Sequence, residues 1–123
     1  MKEIIGLPTL DNNGAQSQCS PHFGGAPFFT IVELEDGQIV NAQSLENPGH
    51  GPAGCMGPVN FMQEHGANKI IVLGIGGRPM MGFQQAGIAV YRGIEGTVEE
   101  NIKAYIAGKL EQVTSATCLG RGG

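Results

Sequence analysis

The chain has 123 residues and a formal net charge of −4. That length is one ordinary domain, large enough to bury a core without disulfides. The mild acidity argues against a general nucleic-acid surface, which needs a basic face. No apolar run approaches the ~20 residues of a membrane helix, and "MKEIIGLPTL" reads as no signal peptide, so a cytoplasmic protein is expected. The three cysteines, Cys19, Cys55 and Cys118, are odd in number and widely spaced. They suit a reducing compartment better than a disulfide framework.

The expected elements follow in chain order. "KEIIGLPTL" reads as a first strand weakened by its Gly–Leu–Pro interruption. Residues 11–27 have no regular period, and a loop of that length is usually functional or disordered. "FFTIVELE" and "QIVNAQSLE" form a hairpin through Asp36–Gly37, a pair suited to a turn with two positive φ angles. "NPGHGPAG" is a second Gly/Pro-rich loop. A helix over roughly 55–65 follows, with Pro58 in its first turn, Gly66 at its end, and Met56, Val59 and Met62 on one face. "KIIVLGI" is a strand buried on both faces. After "GGRP", a short helix starts near Pro79 and stops at Gly87. "IAVYR" is the next strand. Thr97 and Glu100 form a capping box for a last helix with Val98, Ile102, Ile106 and Leu110 as its inward stripe. Residues 1–110 thus form a single domain, and 111–123 are expected to be a flexible Gly/Cys-containing tail. The simplest arrangement is an α/β, ribonuclease-H-like fold: a five-stranded mixed sheet in the order 3-2-1-4-5 with helices packed on it.

In such a sheet the connections reverse between strands 1 and 4, where ligands favour the crevice outside the strand ends. Strand 1 leads into the loop holding Cys19 and His22. Strand 4 leads into "GIGGRPMMG", where the N–H groups of Gly76 and Gly77 can approach an anion and Arg78 adds positive charge. His50 and Cys55 belong to the second loop. The spatial expectation is that the thiol and imidazole share a pocket with the amides near residue 76. Plain structural readings stand beside these. "GIGG" is an incomplete dinucleotide fingerprint and also reads as a tight turn. Met56, Met80 and Met81 read as core filler, Cys55 as a small buried apolar residue, and His65 as a helix C-terminal charge. No Cys-x-x-Cys or His-x-x-x-His pair marks a closed zinc site. No acid follows strand 4, so a two-magnesium nuclease is not indicated.

Beyond these local readings, "CSPHFGGAPFFTIVE", "HGPAGC", "HGANKIIVLGIGGRPMMGFQQAGIAVYRGIEGTVEENIKAYIAGKL" and the Cys/Gly-rich tail resemble the dinitrogenase iron–molybdenum cofactor biosynthesis family of small cofactor-binding proteins. The resemblance runs from residue 1 to about 110. It implies a ribonuclease-H-like fold and a non-enzymatic carrier that holds the iron–molybdenum cofactor, its precursor, or a related molybdenum, copper or iron sulfide. Its partners would be that metal–sulfur cluster and a cofactor donor or acceptor protein, with no nucleic acid or membrane. The resemblance implies cofactor contacts at Cys19, His22, His50, Cys55, Gly74, Gly76 and Gly77, with Cys19 and His22 as metal ligands. "GGRPMMG" departs from the Asn–Ala or similar pair that many relatives place after the glycines. Two alternatives remain: an interaction module that has lost the cofactor, and a phosphate-ligand binder using the turn at residues 74–79.

Overall fold

The computed structural model describes residues 2–23, 25–47 and 56–113. The strands are β1 (Lys2–Thr9), β2 (Phe28–Glu35), β3 (Gln38–Glu46), β4 (Lys69–Val72), β5 (Ala89–Arg92) and β6 (Glu111–Val113). The helices are α1 (Met56–Glu64), α2 (Gly77–Ala86) and α3 (Val98–Ile106), and a 3-10 turn covers Gly14–Gln16. The strands form one sheet in the order β3-β2-β1-β4-β5-β6. β1, β4 and β5 run parallel, while β2, β3 and β6 pair antiparallel to their neighbours.

The expected order of the first five strands holds, and a sixth is added. Residues 111–113 leave the expected tail: Val113, Gln112 and Glu111 pair with Val90, Tyr91 and Arg92. This segment is too short to show a period, and its pairing supplies what pattern cannot. β1 also runs through its Gly–Leu–Pro stretch without a break. Pro8 has no N–H to give, and its carbonyl is used instead, accepting a hydrogen bond from Ser20 N–H at 2.8 Å. Gly6 permits close approach, because a Cβ there would sit 2.4 Å from the sulfur of Met62 in α1.

Strand alternation divides the core between the two faces of the sheet. Phe29 and Ile31 of β2, with Ile70 and Val72 of β4, pack with Val59 and Met62 of α1 and Met80 and Phe83 of α2. Ile5 and Leu7, Val32 and Leu34, and Ile71 face the other way and pack with Val98 and Ile102 of α3. Helices α1 and α2 therefore cover one face and α3 the other.

The local signals resolve as follows. Asp36 (φ 53°) and Gly37 (φ 80°) make the positive-φ hairpin turn. Gly66 (φ 77°) closes α1. Gly87, in the left-handed region, closes α2, which begins at Gly77, two residues before the expected Pro79. Proline fits anywhere in a first turn, so it marks the start of a helix only loosely. Met80 is buried core, as its filler reading expects, whereas Met81 is exposed. His65 lies with Nδ1 2.9 Å from the Phe61 carbonyl at the end of α1. The inward stripe of α3 is Val98, Asn101 and Ile102; Ile106 is the last helical residue and stands 46% exposed. A stripe carried on to Ile106 fails because the helix ends there and Gly108 (φ 74°) redirects the chain.

Thr97 caps α3 as its spacing predicts. Its hydroxyl accepts from Glu100 N–H at 3.2 Å, and the Glu100 carboxylate accepts from Thr97 N–H at 2.8 Å. Replacing Thr97 by alanine should lower the unfolding free energy by about 1 kcal/mol, measured by urea denaturation. An unchanged midpoint would contradict a stabilising cap.

Candidate functional site

The long connection after β1 is built onto the ends of the strands. Asp11 carboxylate accepts from Gln18 N–H at 2.8 Å and from Asn13 Nδ2 at 2.6 Å. Beneath the 3-10 turn runs a chain of hydroxyls: Thr9 to Thr30 at 3.1 Å, Thr30 to Ser44 at 2.8 Å, and Ser44 to Ser17 at 3.2 Å. Thr9, Ser17 and Thr30 have no solvent exposure, so each depends on these partners. The chain then turns back beside β1: Leu10 N–H donates to Gln18 O, and Thr9 bridges Cys19. On its other side the returning segment pairs with the start of α3. Cys19 N–H donates to Gly96 O at 2.9 Å, and Val98 N–H donates to Ser17 O at 2.9 Å.

Residues 19–23 then cross from one face of the sheet to the other. Cys19 is buried with Leu7, Val98 and Ile102 on the α3 face. Phe23 is buried on the opposite face, its ring centroid 5.2 Å from that of Phe29 and 5.2 Å from that of Phe83 in α2. Between these anchors the segment passes over the end of β4 as a strap. The Pro21 carbonyl oxygen lies 3.1 Å from where a Cβ on Gly74 would be, so a side chain there would press the strap back by a few tenths of an ångström. Ser20, itself buried, fixes the strap's outer turn: its hydroxyl donates to His22 O at 3.0 Å and accepts from His22 N–H at 3.2 Å. The His22 side chain is exposed.

The glycine turn follows Gly74 directly. Gly76 is the N-cap of α2 and makes no side-chain cap bond, unlike the boxed start of α3. Gly76 is buried and Gly77 exposed. The first N–H groups of a helix have no partners within it and favour an anion.

The strap backbone and the glycine turn are thus brought together, but the thiol and the imidazole do not share a pocket in this conformation. Cys19 Sγ lies 3.4 Å from Asn101 Nδ2, on the α3 side. Burial pushes its pKa up to about 12, the Glu100 carboxylate adds to this, and the Asn101 contact opposes it. At pH 8 roughly one such thiol in ten thousand is ionised. Among the described residues no group of three or more His, Cys, Asp and Glu side chains is placed to hold a metal ion. His50 and Cys55 lie outside the described residues, as does the side chain of Arg78, whose backbone forms the first turn of α2. A shallow groove lined by Glu3, Tyr91, Tyr105 and Leu110 lies at the other end of β1. Its carboxylate is committed to Tyr105 and to Lys69 at 3.0 Å.

Sequence reasoning passed over Phe23, Ser20 and Asn101. An aromatic inside "HFGGAP" was the signal for an anchor, since a freely solvated loop gains nothing from one. An asparagine three residues after Val98 was the signal for an inward polar side chain in α3, because asparagine is a poor helix former unless it finds a partner.

Residues 5–108 match the model of the family described as dinitrogenase iron–molybdenum cofactor. The chain belongs to that family. An uncharacterised protein of Methanocaldococcus jannaschii is 38% identical over 110 residues, covering 88% of this chain and 89% of that protein. The NMR structure of a candidate NifB protein from Thermotoga is similar at 29% identity and a TM-score of 0.76, covering 96% of this chain and 99% of the other. The apo form of the orange protein from Desulfovibrio gigas shares the fold at 20% identity and a TM-score of 0.79, covering 94% of this chain and 96% of that one. No helix among the described residues is long and apolar enough to cross a membrane.

The buried thiol sets an alkaline limit on stability. Cys19 ionises near 9 in the unfolded chain and near 12 in the folded one. Between those values the unfolded state binds fewer protons, so stability falls as pH rises. Cys19→Ala should shed this part of the alkaline loss, giving a flatter urea midpoint between pH 9 and 11 than wild type. Parallel pH profiles would show that the thiol is not held neutral.

Proposed function

We propose that the protein is a cytoplasmic, non-enzymatic carrier of a metal–sulfur cluster, held where the 19–23 strap crosses the glycine turn. The cluster is the iron–molybdenum cofactor, its precursor, or a related molybdenum, copper or iron sulfide, and it passes between a donor and an acceptor protein. The ribonuclease-H-like fold is part of this reading: the 3-2-1-4-5 core of the sheet agrees with it, and β6 extends the edge. The observation that carries the proposal is the placement of exposed His22, its backbone held by the Ser20 hydroxyl, on a strap that contacts Gly74. This lies beside the start of α2, whose N-cap is a glycine. Family membership supports a ligand of metal–sulfur chemistry.

The donor set fits a cargo that must be released. Imidazole and thiolate suit molybdenum–sulfur, copper and iron centres. The sulfides of an anionic cluster accept hydrogen bonds from backbone N–H groups at a helix start. In this proposal His22 is the ligand already open to solvent, and the amides of Gly76 and Gly77 carry the anion, with Gly74 keeping the approach clear. Arg78, His50 and Cys55 complete the site. Cys19 joins as a ligand only when the strap lifts it from Asn101 and it loses its proton, since the thiolate is the metal-binding form. Binding through Cys19 therefore couples cargo to strap movement, and the exposed His22 makes the first contact.

Anaerobic reconstitution with sulfide and molybdate, iron or copper should give visible charge-transfer absorption and bound metal in elemental analysis. His22→Ala should reduce that metal several-fold, and Gly74→Ala should weaken retention by displacing the Pro21 carbonyl. A colourless wild type after reconstitution would contradict the carrier reading and favour an interaction module without cofactor. Stabilisation by inorganic phosphate in place of the sulfide would favour the phosphate-binding alternative.

A further inference from the structure

We propose that Asn101 is the positioning residue of this site, setting the strap that carries His22 by holding Cys19. The functional meaning rests on the carrier reading, while the structural relation stands without it. Asn101 lies in α3 and has no solvent exposure. Its Oδ1 accepts from Ile94 N–H at 2.8 Å. Its Nδ2 lies 2.9 Å from Ile94 O, 3.1 Å from Thr97 O and 3.4 Å from Cys19 Sγ.

An amide nitrogen has two hydrogens, so three acceptors must share them. The sulfur is the most distant, and a neutral sulfur is the weakest acceptor of the set. That contact is the one that yields at least cost. The two carbonyls and the Ile94 amide meanwhile keep the side chain in place when Cys19 leaves. The site for Asn101 is also built to receive it: a Cβ at Gly93 would lie 2.4 Å from Asn101 Oδ1, so only glycine fits there. The backbone bond from Cys19 N–H to Gly96 O ties the same turn to the strap. One buried amide thus joins the β5–α3 turn, the start of α3 and the first anchor of the strap.

The test uses the metal-free full chain, so its failure is distinguishable from failure of metal binding. Cys19 modification by iodoacetamide is followed by peptide mass analysis, which separates it from Cys55 and Cys118, and the His22 ring resonances are followed by NMR. Asn101→Ala should speed modification of Cys19 by about tenfold or more through local opening, and should shift the His22 resonances. Val59→Ala, a core truncation in α1 on the opposite face of the sheet from Cys19, serves as the control for general loosening of the fold. It should change neither readout beyond the fall in global stability measured in parallel. If Asn101→Ala does not fold, Asn101→Ser carries the same comparison. A Cys19 rate within about twofold of wild type, unmoved His22 resonances, or an equal response to Val59→Ala would overturn the proposal.

Discussion

The site depends on one constraint: a five-residue crossing whose ends are buried on opposite faces of the same sheet. Cys19 is fixed on the α3 face and Phe23 on the α1/α2 face. Residues 20–22 must therefore pass over the strand ends, and Gly74 leaves the room for them to do so. Burial of an aromatic side chain between Phe29 and Phe83 is worth roughly 2–3 kcal/mol. Cys19 is held at the other end by its backbone, through its N–H to Gly96 O at 2.9 Å and its bridge to Thr9.

The surrounding polar structure follows from the same geometry. A loop that covers strand ends must satisfy backbone groups that neither sheet nor helix can reach. The hydroxyls of Ser17 and Ser44 do this by accepting from Asn13 N–H at 2.7 Å and Gly14 N–H at 3.0 Å, and pairing of residues 17–19 with 96–98 does it along the start of α3. The start of α3 is consequently saturated, by Thr97 and by the Ser17 carbonyl. The start of α2 carries glycine at its cap instead. The two helix starts thus differ, one with a side-chain capping box and one with a glycine cap.

Much of the framework was legible in the sequence because its signals are local. The Asp36–Gly37 turn, the Thr97–Glu100 box and the terminating Gly66 and Gly87 each depend on a few neighbouring residues, and each takes the expected conformation. The strand order follows from connection rules. β6 was not legible, since three residues, two of them exposed, show no alternation and gain their identity only by pairing with β5. The juxtaposition of the Cys19–His22 loop with Gly74 was anticipated from topology. The direction of the thiol was not, because it depends on Asn101, which lies 82 residues away in sequence. A Cys and a His three positions apart look like partners in a string of letters. A strap that crosses a sheet edge sends one inward and leaves the other in solvent.

The most direct measurement is an amide chemical-shift titration of the labelled, metal-free protein with tetrathiomolybdate, a small molybdenum–sulfide anion. The account predicts that the changes cluster at residues 20–23 and 74–77, with smaller effects around Asn101. Changes centred instead on the Glu3, Tyr91 and Tyr105 groove would place the ligand at the wrong end of the sheet and contradict it.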